Sequence, residues 1–215
     1  MPREDNIVDT TTRVFRAAII SAIPVEISAL AYHFRHFFRD DHADGSVYRY
    51  GFIDGKSVRW KVYVVESQPG QVIAGQEMNT CLNNIDPSIL LFLGVAGGDP
   101  KKTNIGDLVI PESIFYYESG KVTPTNFLPR FPSQSPSRRL VQAARFEAHS
   151  KAWQRRIPTG KPNIDVSIWF GPIASGDKVI TSTTSHEWSA IKSHNDKCLA
   201  VEMAVSYTHL RAHET

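Results

Sequence analysis

Cysteine, net charge and long apolar runs are all scarce in this chain of 215 residues. The two cysteines, Cys81 and Cys198, form no Cys-x-x-Cys pair and suggest no metal framework. They read as buried or free thiols in a reducing compartment. Lys and Arg number 24 against 22 Asp and Glu, and a formal charge of +2 singles out neither nucleic acid nor an anionic membrane as partner. The longest apolar stretch, Ala17 to Leu30, is broken by Pro24 and Glu26 and follows a leader holding Glu4, Asp5 and Asp9. It fits neither a signal peptide nor a membrane span, so a cytoplasmic protein is expected. The eight histidines lack metal-ligand spacing, and His33 and His36 read as structural. No Gly-x-Gly-x-x-Gly opens a helix, which makes a dinucleotide loop a poor alternative, and no cofactor or metal is expected.

What is present is an ordinary globular composition, 41% hydrophobic and 21% charged, long enough for one domain with a substantial core. Residues 1–13 are polar and aperiodic, a flexible leader. Val14 to Ala22 reads as a strand buried on both faces. Pro24 suits the first position of a helix, and Ile27, Leu30, Ala31, Phe34 and Phe38 extend that helix over Val25 to Phe38. Tyr48 to Ile53 and Ser57 to Val65 flank Asp54-Gly55-Lys56, a hairpin signal. A helix follows Pro69-Gly70 with Met78, Cys81, Leu82 and Ile85 on one face, and Ser88 to Leu93 is a strand, completing a βαβ unit with a right-handed crossover. Asp107 to Ile110 and Ile114 to Tyr117 are two further strands. Thr123 to Ser137, with four prolines, is a loop. Ser135-Pro136 starts a helix that runs to about Arg155, and Val166 to Ala174 is the last strand. The pattern is α/β with a mixed sheet.

Several segments carry residues that could do chemistry. Gly94-Val95-Ala96-Gly97-Gly98 follows a strand, where glycines let the backbone approach a flat ligand. Glu26 lies in the first turn of a helix; it can complement the helix dipole or serve as a base. Val201-Glu202-Met203 follows Gly171-Pro172-Ile173-Ala174-Ser175-Gly176-Asp177. Asp107 and Asp177 sit in Gly-Asp pairs and read as structural. Pro136 to Lys161 adds Arg138, Arg139, Arg145, Lys151, Arg155, Arg156 and Lys161 against Glu147 alone. Such a run is either a solvated helix face or a phosphate clamp.

Four of these stretches, taken in order, resemble the nucleoside phosphorylase/nucleosidase superfamily, and its nucleosidase branch most closely. They are Ile19 to Glu26, Leu93 to Gly98, Gly106 to Ile110 and Ala200 to Met203. The resemblance implies a three-layer αβα sandwich with a mixed central β-sheet over residues 14–203. Glu26 matches the glutamate that positions the attacking water. Val95, Ala96 and Gly97 match the base- and nucleophile-binding segment, Glu202 the ribose carboxylate, and Met203 the residue on the sugar's apolar face. Two departures matter. Where phosphorylases carry a Ser or Thr that helps hold phosphate, this chain has Val95, which favours water over phosphate. Where the family places a base-stacking aromatic, it has Val179, which argues against ordinary methylthioadenosine specificity. Tyr116 to Lys121 is similar to a Tyr-x-Glu-x-Gly-Lys segment of nucleosidase domains in bacterial signalling or defence proteins. With the basic run, it makes Lys121, Arg138 and Arg139 candidate phosphate contacts.

Residues 204–215 form the remaining anomaly. The family's ribose motif runs Glu-Met-Glu, whereas here Glu202-Met203 is followed by Ala204 and then Val205 to Thr215, which resembles the translation of a sequencing-transposon adapter. A non-native tail and a C-terminally incomplete domain are the expectation. No residue matches the family's purine-protonating aspartate, so a polypeptide ending at residue 215 is expected to release no base. The function that follows is hydrolysis of the N-glycosidic bond of a purine nucleoside or nucleotide. The alternatives are a phosphorolytic phosphorylase or a non-catalytic nucleoside-sensing module. A small-molecule purine is the expected partner, nucleic acid and membrane are not, and a homodimer or fused domains are compatible with the family.

Overall fold

The computed structural model describes residues 13–55, 58–124, 127–150, 152–156 and 166–203. The leader up to residue 12, the tail from residue 204, and Lys151 and Lys161 of the basic run lie outside them. The chain opens with β1 (Arg13–Ser21), α1 (Pro24–Ala31), β2 (Phe38–Asp41), β3 (Val47–Asp54), β4 (Val58–Glu66), α2 (Gln71–Ile85) and β5 (Ile89–Phe92). These strands hydrogen-bond in the order β2-β3-β4-β1-β5. β1 is parallel to both β4 and β5, and the β2-β3-β4 meander is antiparallel.

Period-2 alternation in β1 sorts its side chains to two helices. Ala18 and Ile20, fully buried, join Val65 and Leu90 beneath Met78, Cys81 and Ile85 of α2. Ile19 packs on the other side with Val64 against Ile27 and Leu30 of α1. A helix on each face of a sheet gives three layers, as expected.

The helix expected to reach Phe38 ends at Ala31. Its final turns tighten, with His33 N donating to Leu30 O and Phe34 N to Ala31 O. The aromatic residues then divide: Phe34 and Phe37 pack on the α1 cluster, while Phe38 enters β2 and stacks on Tyr50 at 5.3 Å. Tertiary packing here outweighs a helical repeat carried largely by aromatics.

The second half contains β6 (Gly97–Gly98), β7 (Leu108–Tyr116), β8 (Gly120–Val122), β9 (Phe127–Pro129), β10 (Ser133–Gln134), α3 (Arg138–Ser150), a 3₁₀ turn at Ala152–Arg156, β11 (Ile168–Ser175), α4 (His186–His194) and β12 (Ala200–Glu202). Its strands pair as β10-β7-β11-β12-β6, with β8 and β9 a separate ribbon. The mixed pairing agrees with the sequence; the hydrogen bonds group the strands as two five-stranded sheets, joined through the short connector from β5 to β6. Phe115, Tyr117, Ala174 and Val201 pack beneath Trp188 and Ile191 of α4.

Three expectations change here. The two strands around Pro111 are one, β7, and its register against β11 slips between Gly171 and Pro172, leaving Glu112 as the extra residue. A bulge accommodates Pro111, which has no N–H to give the ladder. The proline-rich loop contains β9 and β10, and Phe131 within it is buried and stacked on Phe115 at 6.0 Å. Helix α3 starts at Arg138, with Val141 N bonded to Ser137 O, rather than at Pro136. The Ser137 carbonyl accepts this bond into the helix, so the cap falls at Ser137, two residues beyond the expected Ser135.

Candidate active site

The parallel strands β1, β4 and β5 of one sheet and β7, β11 and β12 of the other all end near one another, and ligands in open α/β sheets bind outside such carboxyl ends. Glu26 stands at the end of β1. Pro24 starts α1 there, which puts Glu26 at the third helical position, facing back over the helix N-terminus. Its Oε2 accepts hydrogen bonds from Ala22 N at 2.9 Å and Ile23 N at 3.1 Å, and its Oε1 accepts from Val95 N at 2.7 Å. The first pair satisfies backbone donors that Ile23, at the N-cap, has no side-chain oxygen to help with. The third reaches 69 residues along the chain and pins the β5–β6 connector against the helix.

Gly94 makes that contact sterically feasible. A Cβ there would lie 3.2 Å from Glu26 Oε1 and 3.3 Å from the Phe92 ring. Fully buried Ser21 adds a second tie, its Oγ donating to Leu93 O at 2.7 Å. The connector then pairs antiparallel with β12, Gly98 opposite Ala200 and Gly97 opposite Val201. The same register leads from Gly97 to Ala96 on one strand and from Val201 to Glu202 on the other. Glu26, Val95, Ala96, Gly97 and Glu202 therefore share one end of the molecule. Val95 and Val179 present exposed side chains, at 74% and 71% exposure, and Met203 is half-buried.

Glu202 lies opposite Ser175 in the β11–β12 ladder, and Gly176 N donates to Glu202 O at 3.1 Å. The turn after Ser175 is gripped from two directions. Gln71, at the start of α2, donates from Nε2 to Ser175 Oγ at 3.2 Å and from its backbone N to Asp177 Oδ1 at 3.0 Å. From the end of β7, Glu118 Oε2 accepts from Asp177 N at 2.6 Å, and Tyr117 donates its hydroxyl to Lys178 O at 3.2 Å. Burial pushes the Tyr117 phenol up to about 12, so it stays a donor at neutral pH. Lys178 Nζ sits 3.4 Å from Glu118 and 3.6 Å from Glu187.

The distinctive Tyr116 to Lys121 segment thus braces the turn that carries Val179. Lys121 follows on β8, exposed, three residues beyond Glu118. Arg138 and Arg139 are exposed on α3, and β10 runs antiparallel to β7, so the chain leading to them turns back from the site end of that strand. Arg145 of the same basic run pairs with Glu112 and lies over the Phe170 ring, a structural role. Asp107 accepts from Asn104 N, Ser167 N and Trp169 Nε1, tying β7 to β11; the two backbone bonds, with help from Trp169, hold its carboxyl below the usual range.

The residues that sequence reasoning did not single out are Gln71 and Ser21; Glu118 was marked by its place in the Tyr-x-Glu-x-Gly-Lys pattern, without the bond it makes. The signal for Gln71 was the preceding Pro69-Gly70: Gly70 has a φ of 112°, which turns the chain so that α2 begins against Asp177.

The profile of the phosphorylase superfamily matches residues 16–213. The chain belongs to the phosphorylase superfamily. Curated relatives include 5'-methylthioadenosine/S-adenosylhomocysteine nucleosidases from Desulfotalea psychrophila (31% identical over 145 residues, 62% of this chain and 53% of the relative) and Maridesulfovibrio salexigens (28% over 134 residues, 62% and 54%). The match to the enzyme of that name from Exiguobacterium sp. is longer, 24% over 197 residues, covering 87% of this chain and 74% of the relative. The chain spans only about half the length of the first two. Among solved structures, the nucleosidase of Colwellia psychrerythraea in complex with adenine superposes with a TM-score of 0.70 at 21% identity, over 91% of this chain and 75% of that one. A futalosine hydrolase mutant of Helicobacter pylori superposes at 0.64 and 21%, over 90% and 80%. These likenesses establish the superfamily's fold for this chain.

Proposed function

We propose that this protein hydrolyses the N-glycosidic bond of a purine nucleoside or nucleotide, with water as the nucleophile. The observation that carries the reading is the 2.7 Å bond from Val95 N to Glu26 Oε1. At the position where a phosphorylase would need donors for phosphate, the side chain is an alkyl group and the backbone N–H is already taken. A carboxylate beside it would repel an incoming phosphate, and that repulsion strengthens as the site loses water. The same carboxylate is suited to orient a water and accept its proton as the sugar gains oxocarbenium character.

In this reading Glu202 receives the ribose hydroxyls, Met203 covers the sugar's apolar face, and Val95, Ala96 and Gly97 border the base with Val179. The curated relatives are nucleosidases by name, and the adenine found with the Colwellia psychrerythraea protein fits the same ligand class. A cytoplasmic location, where purine nucleosides are generated, belongs to the same proposal. Lys121, exposed on β8 shortly after Glu118, is the candidate phosphate contact on which a preference for nucleotides over nucleosides is made to rest. The test is product analysis on the full-length protein in phosphate-free buffer. Release of purine base with free ribose supports hydrolysis. Release that begins only when phosphate is added, with ribose 1-phosphate as product, overturns it.

A further inference from the structure

We infer that Gln71 is a positioning residue that fixes the distance between two half-sites built on different sheets; this rests on the hydrolytic reading above. The water-orienting Glu26 lies in the first turn of α1, the helix that follows β1 of the sheet containing β1, β4 and β5. The ribose carboxylate Glu202 lies on β12 of the sheet containing β7, β11 and β12, and the base-side Val179 lies in the segment that follows β11. Among the described residues, two bridges tie these halves together next to the reacting centre. One is the short connector held by Glu26 on Val95. The other is Gln71, at the start of the helix that follows β4, whose side chain and backbone both bond to the far sheet, at Ser175 and Asp177.

The surroundings make this second bridge stiff. Gln71 is 1% exposed and Ser175 is fully buried, so water does not compete for their bond. Ser175 stands directly opposite Glu202, and the next residue, Gly176, donates to Glu202 O. A displacement at Gln71 therefore passes through one ladder step to the ribose carboxylate. Glu202 and Val179 would move together as a unit, keeping their mutual spacing, while their distance to Glu26 changed. Substrate held by ribose and base should still bind, but the attacking water would be misaligned.

The experiment uses Gln71→Met, which keeps the volume and removes the donor, Ser175→Ala, which removes the acceptor, and the double variant, all in the full-length protein. Expected is a fall in kcat on the order of 10–100-fold in each single variant, the usual weight of a misplacement near 1 Å, with KM within about threefold. The double variant should fall by less than the product of the two single falls, because both changes remove the contact these side chains share. A bond that only stabilised the fold would lower Tm and leave this split unseen. Unchanged kcat in both single variants, or a rise in KM matching the fall in kcat, overturns the inference. Base release by the unmodified protein decides the functional reading separately. If it releases none, amide exchange at Gly176 decides the bridge. Exchange faster by about tenfold or more in both single variants supports it, and unchanged protection overturns it.

Discussion

Glu26→Gln is the usual way to test a general base while sparing the structure, and in this protein it should not spare it. The Glu26 carboxylate accepts from three backbone N–H groups, two at Oε2 and one at Oε1. A glutamine has one acceptor oxygen. Its best orientation keeps that oxygen on Ala22 N and Ile23 N and turns the NH₂ toward Val95 N, setting two donors face to face across a gap that was 2.7 Å. The variant loses one charge-assisted bond in a side chain that is only 9% exposed. A loss of about 1.5–3 kcal/mol follows for a bond to a charged group. For a domain of this size that is a fall of roughly 3–12 °C in Tm, at about 2–4 °C per kcal/mol. Glu26→Ala strands all three donors and should fall at least as far. Thermal unfolding followed by circular dichroism checks both. A Glu26→Gln protein melting within about one degree of the parent would show that Glu26 does not hold the connector. Activity should fall on the order of 10²–10⁴-fold in the same variant, and part of that loss would come from a displaced Val95.

Further outcomes follow from other contacts. Hydrogen bonds from Lys61 and Tyr63 hold the Asp40 carboxyl below its usual range, so this pairing stabilises the fold above the unfolded carboxylate pKa and is lost as pH falls through the lower folded one. Lys61→Met should raise the pH midpoint of acid unfolding; an unchanged midpoint would refute the linkage. Gly176→Ala drives a methyl into the Tyr117 ring, and overpacking of this kind costs about 1–3 kcal/mol, measurable as a lower denaturant midpoint. Cys81 and Cys198 are fully buried and burial pushes both thiols up, Cys81 to about 12, so neither should react with a disulfide reagent until the protein is unfolded. If Lys121 contacts a phosphate, Lys121→Ala should weaken nucleotide binding by roughly tenfold or more and nucleoside binding little; equal losses would leave a plain nucleosidase.

The central strands and the hairpin were legible because burial on both faces, or strict alternation, leaves a long apolar signature, as in Ala17 to Ser21 and Val62 to Val65. The ends of elements were not. Phe34, Phe37 and Phe38 keep a helical spacing, yet each packs where the β2–β3–β4 meander offers an aromatic or aliphatic surface. Short β10 and β12 carry too few residues for any period to show, and α4 is opened by Ser185 Oγ capping Trp188 N at 3.1 Å, a cap with only a brief apolar face behind it. Glu26 and Glu202 could be named from the motif, but the bond to Val95 could not, because it depends on how two segments 69 residues apart meet. For Gln71 the local signal, Pro69-Gly70, marked only a turn into α2; its importance arises from contacts with Ser175 and Asp177, more than 100 residues away. In the basic run, composition left a solvated face and a phosphate clamp both open, and it could not show that Arg145 within it pairs with Glu112 and lies over Phe170.

The most direct test of a water nucleophile at Glu26 is isotopic. The full-length protein is turned over on a purine nucleoside in ¹⁸O-enriched water with phosphate present, and the sugar is analysed by mass spectrometry. Hydrolysis directed by Glu26 predicts free ribose carrying one solvent oxygen, formed at a rate independent of phosphate and lost in Glu26→Gln. Unlabelled sugar recovered as ribose 1-phosphate, at a rate that rises with phosphate, would contradict it.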